Sequence, residues 1–189
     1  MEPLATDRLT IRDWSLEEGD VDRMFAIQSR WEVVRWLDDD PVVMTERAQA
    51  VAQVERCRAR TDPDGPRGFW AVEERATGLA SGTVLLCDLN PEDATSGEER
   101  PAPAAWAGAE LEVGWHLHPD AWGRGLAREA AAAVVARAFA QGVPAVHALM
   151  YVDNEASAKV ALALGMEDRG VVTDRWYPGP SRWFHLARP

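Results

Sequence analysis

Residues 110 to 151 read as strand, glycine turn, helix and strand, and this order constrains the fold more than any other part of the chain. Glu110 to Leu117 has an apolar strand pattern, Ala127 to Ala140 is an alanine-rich helix, and Ala145 to Tyr151 is a second apolar strand. Gly142 and Pro144 stop the helix between them, since a left-handed glycine ends a helix and proline cannot continue it. Two strands joined through a helix must run parallel. The first strand enters the helix through His118-Pro119-Asp120-Ala121-Trp122-Gly123-Arg124-Gly125-Leu126-Ala127. A glycine turn at a helix N-terminus offers converging backbone N–H groups, the positive end of the helix dipole and close access to the main chain. A diphosphate-bearing ligand is the chemistry it suits, although short Gly-x-Gly turns also serve as plain connections. No Gly-Lys-Ser/Thr is present and the three-glycine dinucleotide spacing is absent, so neither a P-loop nor a dinucleotide fold is indicated,.

The flanking segments extend this unit into a mixed sheet. Arg8 to Trp14 alternates as a strand, and a helix is expected from near Glu17 to Ser29, with Val21, Met24, Phe25 and Gln28 on one stripe,. Thr45 is the expected N-cap of a second helix that reaches Arg60,. Gly68 to Glu73 and Gly82 to Asp88 form a hairpin about a turn near Gly78,. Asn90 to Ala105, rich in Pro, Glu, Ser and Gly, reads as a loop,. Asn154 caps a further helix that ends at Gly165, and the segments 166 to 172 and 181 to 186 complete the sheet. The expected fold is α+β: one domain over residues 1–189 with a mixed, mostly antiparallel central sheet of about seven strands flanked by helices.

Charge and composition exclude several functions. The net charge is −11, which argues against a nucleic-acid surface and suits a cationic substrate such as an amine, or simply solubility. No segment approaches the roughly 20 apolar residues needed to span a bilayer. The charged N-terminus lacks an apolar export region, so a cytoplasmic location and no membrane partner are expected. Cys57 and Cys87, the only cysteines, lack metal-site spacing and are expected as unpaired thiols, with a disulfide left open,. His116 and His118 share one strand face but lack a third ligand, so no metal is expected,.

With the turn in place, the chain resembles the GNAT superfamily of acetyl-CoA-dependent N-acyltransferases. That family carries Gln/Arg-x-x-Gly-x-Gly/Ala at a strand–helix junction, matched here by Trp122-Gly123-Arg124-Gly125-Leu126-Ala127. Trp122 departs from the broad pattern and looks like the branch containing ribosomal-protein N-terminal alanine and serine acetyltransferases. Thr6-Asp-Arg-Leu-Thr-Ile-Arg12, Glu112-Val-Gly-Trp-His-Leu117 and Asn154-x-x-Ser157 with Leu164-Gly165-Met166 point to the same branch. The resemblance implies a splayed parallel pair and acetyl-CoA as co-substrate. Its diphosphate would lie on Trp122, Gly123, Arg124, Gly125, Leu126, Ala127 and Arg128, and its pantetheine arm along Val113, Trp115, Asn154 and Ser157. The two arginines are otherwise solvated cations. Gly114 suits either the bulge of that family or a close backbone approach.

The resemblance further implies that a main-chain N–H near Trp115 polarises the acetyl carbonyl and that the Ser157 hydroxyl approaches the coenzyme sulfur. Many family members place a tyrosine four residues beyond that serine, where this chain has Ala161. Glu112 is the leading general base and Glu110 the reserve, while an ion pair is the alternative for each. No serine or cysteine has a His/Asp relay, so direct attack by the amine in a ternary complex is expected, without an acyl-enzyme. The nine tryptophans are mostly expected as core or rim packing,, and Trp31, Trp36 and Trp176 are the candidates for the acceptor groove, which the resemblance places beside the N-terminal helices and the last hairpin. The acceptor is a peptide N-terminus or, alternatively, a small amine such as an aminoglycoside or a metabolite. A non-catalytic acyl-CoA-binding module is the rival reading, and both a monomer and a homodimer are compatible with the sequence.

Overall fold

The computed structural model describes residues 2–89, 110–175 and 177–189. The chain forms β1 (Leu4–Ala5), β2 (Leu9–Asp13), α1 (Glu18–Gln28), α2 (Trp31–Val34), α3 (Arg47–Ala59), β3 (Gly68–Glu74) and β4 (Leu79–Asp88). It continues with β5 (Leu111–Leu117), α4 (Leu126–Ala140), β6 (Ala145–Tyr151), α5 (Glu155–Ala163), β7 (Glu167–Thr173) and β8 (Pro180–Ala187). The strands make one sheet in the order β1-β2-β3-β4-β5-β6-β8-β7. Eight strands replace the expected seven, because the two-residue β1 pairs Leu4 with Ile11 and Ala5 with Thr10. So short a segment has no periodicity to read.

All neighbours are antiparallel except β5 and β6, which pair only at Leu111↔Val146 and Glu112↔His147. Beyond Glu112 the two strands share no ladder partner. They part. Across β4 and β5 the register runs unbroken from Gly82↔Leu117 to Asp88↔Leu111, so the bulge expected at Gly114 is absent. What stands close to Gly114 is a side chain, not the neighbouring backbone. A Cβ at Gly114 would lie 3.1 Å from Leu85 Cδ1.

Each sheet face carries its own core. On one side α4 buries Leu126, Ala130, Ala131, Val134, Val135 and Ala138, the three- and four-residue spacing of a helical stripe. They pack against Leu86, Leu111, Val113, Val146 and Phe184. On the other side α1 and α3 bury Val21, Met24, Ile27, Ala50, Val54 and Cys57 against Ala71 and Trp14. In α1 the buried stripe therefore includes Ile27, with Phe25 and Gln28 only partly covered. The N-cap of α3 is Glu46 and not Thr45: Glu46 and Gln49 form a capping box, and Gln49 Oε1 accepts from the N–H groups of both Thr45 and Glu46,. Both cysteines are free. Among the described residues no helix is long and apolar enough to cross a membrane.

Candidate functional site

The opening between β5 and β6 forms the waist of a cleft of about 1080 Å³. One arm runs along Val113, Trp115 and Leu117, past Trp122, Gly123, Gly125, Leu126, Ala127 and Arg128, to Asn154 and Ser157 on the facing side. The other arm is lined by Glu32, Trp36, Asp38, Asp39, Phe69, Leu85 and Tyr177. Glu112 lies between them. The sequence-predicted residues therefore converge, although they come from β5, the turn, α4 and α5.

The turn is built to present amides. Gly123 and Gly125 have φ of +70° and +75°, in the left-handed region that side chains with a Cβ rarely adopt. The indole N–H of Trp122 donates to the Leu117 carbonyl at 2.8 Å, which closes the loop behind β5. Gly125 is the N-cap of α4, and the first helical N–H groups have no acceptor within a helix,. Among the described residues no protein acceptor takes the N–H groups of residues 123 to 128. This donor set, with the helix dipole behind it and the Arg128 side chain beside it, fits a diphosphate. The Arg124 side chain points elsewhere. Its Nη1 and Nη2 donate to the two carboxylate oxygens of Glu74 at 3.0 and 2.5 Å, and it does not line the cleft.

Strand geometry fixes which main-chain groups face the gap. His118 donates its N–H to the Ser81 carbonyl on the β4 side at 2.8 Å. Successive residues of a strand alternate between its two edges, so the N–H groups of Trp115 and Val113 lie on the opposite edge, toward β6. Across the gap, Asn154 caps α5 by accepting the Ser157 N–H at 3.1 Å. Ser157 sits in the first turn of α5 and lines the cleft.

Glu112 sits where β5 and β6 part. Its Oε1 accepts the Leu149 N–H from β6 at 3.3 Å, and its Oε2 accepts the Tyr177 hydroxyl at 2.5 Å. Withdrawal from water pushes the Glu112 carboxyl up to about 7, against the pull of these two hydrogen bonds,. A carboxylate poised near neutrality can accept a proton at physiological pH. Burial and the neighbouring Glu112 hold the Tyr177 phenol far above its usual range, so it stays a donor. The same burial lowers His116, which also lines the cleft, to about 4 and keeps it neutral.

Several sequence-predicted residues fall elsewhere. Glu110 precedes β5, lies outside the cleft and pairs with Arg175 at 3.6 Å. Trp31 is 55% exposed and does not line the cleft. Trp36 does line it, 6.1 Å from the Tyr151 ring. His118 is not a strand neighbour of His116: it follows β5, and its Nδ1 accepts the Asp120 N–H at 3.3 Å. Trp176 and the loop from Asn90 to Ala105 lie outside the described residues.

Tyr177 is the residue that sequence reasoning missed. It reaches Glu112 across 65 positions of sequence, a separation that no local motif encodes. Its loop is closed by Asp174, whose Oδ1 accepts the Gly179 N–H at 2.7 Å and whose backbone takes φ of +51°. The local sequence signal here is the Pro178-Gly179-Pro180 turn, which marks a tight loop but not where Tyr177 points,.

Removing the Tyr177 hydroxyl has a predictable sign. It stabilises the ionised form of Glu112, so Tyr177→Phe raises that group's pKa and moves the acid limb of the pH–kcat/KM profile to higher pH. A limb that stays in place or moves down contradicts the assignment.

Comparison with known proteins agrees with this geometry. The sequence profile of the acetyltransferase (GNAT) domain matches residues 8–167. An uncharacterized N-acetyltransferase, YoaA of Bacillus subtilis strain 168, is 29% identical over 192 aligned positions, covering 98% of this chain and 97% of that protein. An acetyltransferase of the GNAT family from Bacillus anthracis superposes with a TM-score of 0.72 at 15% identity over 98% of both chains. RimL, a ribosomal-protein α-N-acetyltransferase in complex with coenzyme A, superposes with a TM-score of 0.72 at 14% identity, again over 98% of both chains.

Proposed function

The chain belongs to the GNAT acetyltransferase family and is an N-acetyltransferase, and from that premise we propose that it carries the acetyl group of acetyl-CoA to the α-amino group of a peptide by direct attack. The observation that carries this reading is Glu112, a desolvated carboxylate placed where the two arms of the cleft meet. An α-amino group titrates near 8 and a lysine near 10.4. A base poised near 7 is therefore matched to the former more closely than to the latter.

In this reading the free amides of residues 123–128 and the Arg128 guanidinium hold the diphosphate. The pantetheine arm lies in the gap between β5 and β6, against Asn154. The Trp115 N–H donates to the acetyl oxygen as charge develops there. Glu112 takes the proton that the amine loses as its nitrogen forms the bond to the acetyl carbon. The carbon–sulfur bond breaks, and the Ser157 hydroxyl donates a hydrogen bond to the departing thiolate. Apart from Arg124, whose side chain is held by Glu74, the residues involved belong to the cleft lining. Glu32, Asp38 and Asp39 give the acceptor arm a negative rim, which favours a cationic acceptor,. RimL's action on a ribosomal-protein N-terminus gives the choice of a peptide acceptor further support.

Acceptor profiling tests the proposal. Free thiol is followed with acetyl-CoA and three acceptor sets: peptides with free α-amines, the same peptides blocked at the N-terminus but carrying lysine, and aminoglycosides. Release with the first set alone is the expected result. Release with aminoglycosides alone overturns the peptide assignment, and tight coenzyme binding without release in any set favours the non-catalytic module.

A further inference from the structure

The N-terminal segment Thr6-Asp7-Arg8-Leu9 lines no part of the cleft, yet its Thr6 and Arg8 side chains reach the glycine turn and the first turn of α4. Thr6 Oγ1 donates to Glu129 Oε1 at 2.6 Å, and the Arg8 backbone N–H donates to the same oxygen at 2.9 Å. Arg8 Nε and Nη2 meet Glu129 Oε2 at 2.7 and 2.6 Å. The remaining arm, Arg8 Nη1, donates to the Arg124 carbonyl inside the turn at 2.8 Å. The segment itself is stiffened by Thr6 N–H to Leu9 O at 2.9 Å and Leu9 N–H to Thr6 Oγ1 at 3.0 Å. From the other side, the Arg124 guanidinium is tied to Glu74, which also accepts the Ser81 hydroxyl at 2.5 Å. The turn is thus fixed through both the carbonyl and the side chain of its middle residue.

Two physical consequences follow. Anchoring the Arg124 carbonyl on Arg8 turns that peptide's oxygen outward to the brace and resists rotation of the two left-handed glycine positions on either side. Glu129, in the first turn of α4, favours the helix N-terminus but repels a second anion placed there. Arg8 opposes that charge at contact distance.

We propose that Arg8 is a positioning residue for the co-substrate: with Thr6 and Glu129 it forms a clasp that orients the amides of residues 123–128 and neutralises the carboxylate in the first turn of α4. This rests on the reading that a coenzyme A diphosphate occupies the turn. The clasp ties the N-terminal segment to a glycine turn more than a hundred residues away.

Calorimetric titration with two ligands tests it: coenzyme A, which carries the diphosphate, and acetyl-pantetheine, which lacks it. Arg8→Ala is expected to weaken coenzyme A about tenfold, the scale of a charge change at a helix N-terminus, while acetyl-pantetheine affinity is unchanged. Arg8→Ala/Glu129→Gln removes the uncompensated charge and is expected to regain much of the loss, which a purely structural brace does not do. If Arg8→Ala fails to fold, Arg8→Lys, which keeps the charge but lacks the second arm to Arg124, is expected to show the same ligand selectivity. Unchanged coenzyme A binding, equal weakening of both ligands, or a double variant worse than the single one overturns the clasp and leaves the acetyltransferase reading intact. Wild-type protein that does not bind coenzyme A overturns both.

Discussion

Glu112→Gln is expected to lower kcat for acetyl transfer by about 10²–10⁴-fold, the usual contribution of a positioned general base, with coenzyme A affinity unchanged. Glutamine is close to isosteric and its amide oxygen can still accept from Tyr177 or Leu149, so the waist of the cleft keeps its shape. What it loses is the ability to take a proton. The groups that the proposed reading assigns to coenzyme A, at the turn and along the gap, do not include the Glu112 carboxylate. Stopped turnover with intact binding therefore separates proton acceptance from a defect of the fold. Full activity in Glu112→Gln assigns the proton to another group or to water.

Gly82→Ala is expected to destabilise the protein by about 3 kcal/mol, toward the upper end for overpacking, which lowers Tm by about 6–12 °C in a domain of this size. A Cβ at Gly82 would stand 2.2 Å from the His116 carbonyl oxygen and 2.7 Å from Leu117 Cα. Those are backbone atoms and cannot swing aside. Gly82 pairs with Leu117, the last residue of β5, so relief of the clash requires the strand to shift where it leads into the glycine turn. A thermal melt checks the prediction, and weaker coenzyme A binding in the folded fraction is expected to accompany it. A melt that matches the wild type shows that β5 ends more flexibly than the register implies.

The sequence made the central crossover readable because each part of it carries its own local signal. Alternation gives β5, helical spacing gives α4, and Gly142 with Pro144 gives the stop. The same holds for the site residues near the turn, where glycine spacing and capping chemistry are properties of neighbouring positions. Glu110 illustrates the limit. Period-two reasoning puts it on one strand face with Glu112, but β5 begins at Leu111 and Glu110 turns out to pair with Arg175. Arg124 illustrates another. Proximity to the turn suggested a phosphate contact, whereas its partner Glu74 comes from the end of β3, which no local pattern could supply. Tyr177 and the Thr6–Arg8 clasp were hidden for the same reason: a long-range contact depends on how the strands are ordered in the sheet. β8 inserts between β6 and β7, and that order is what brings the Asp174–Gly179 loop over Glu112.

The most direct measurement is the pH dependence of kcat/KM with an acceptor whose amine loses its proton well below pH 6, so that the enzyme's own limb stands alone. Burial raises Glu112 to about 7 and the carboxylate is the active form, so the rate should climb from pH 6 to 8 with its midpoint near 7. It should be flat above that range. A profile already level at pH 6, as an ordinary solvated carboxylate near 4.3 would give, contradicts a buried Glu112 base at the parting of β5 and β6.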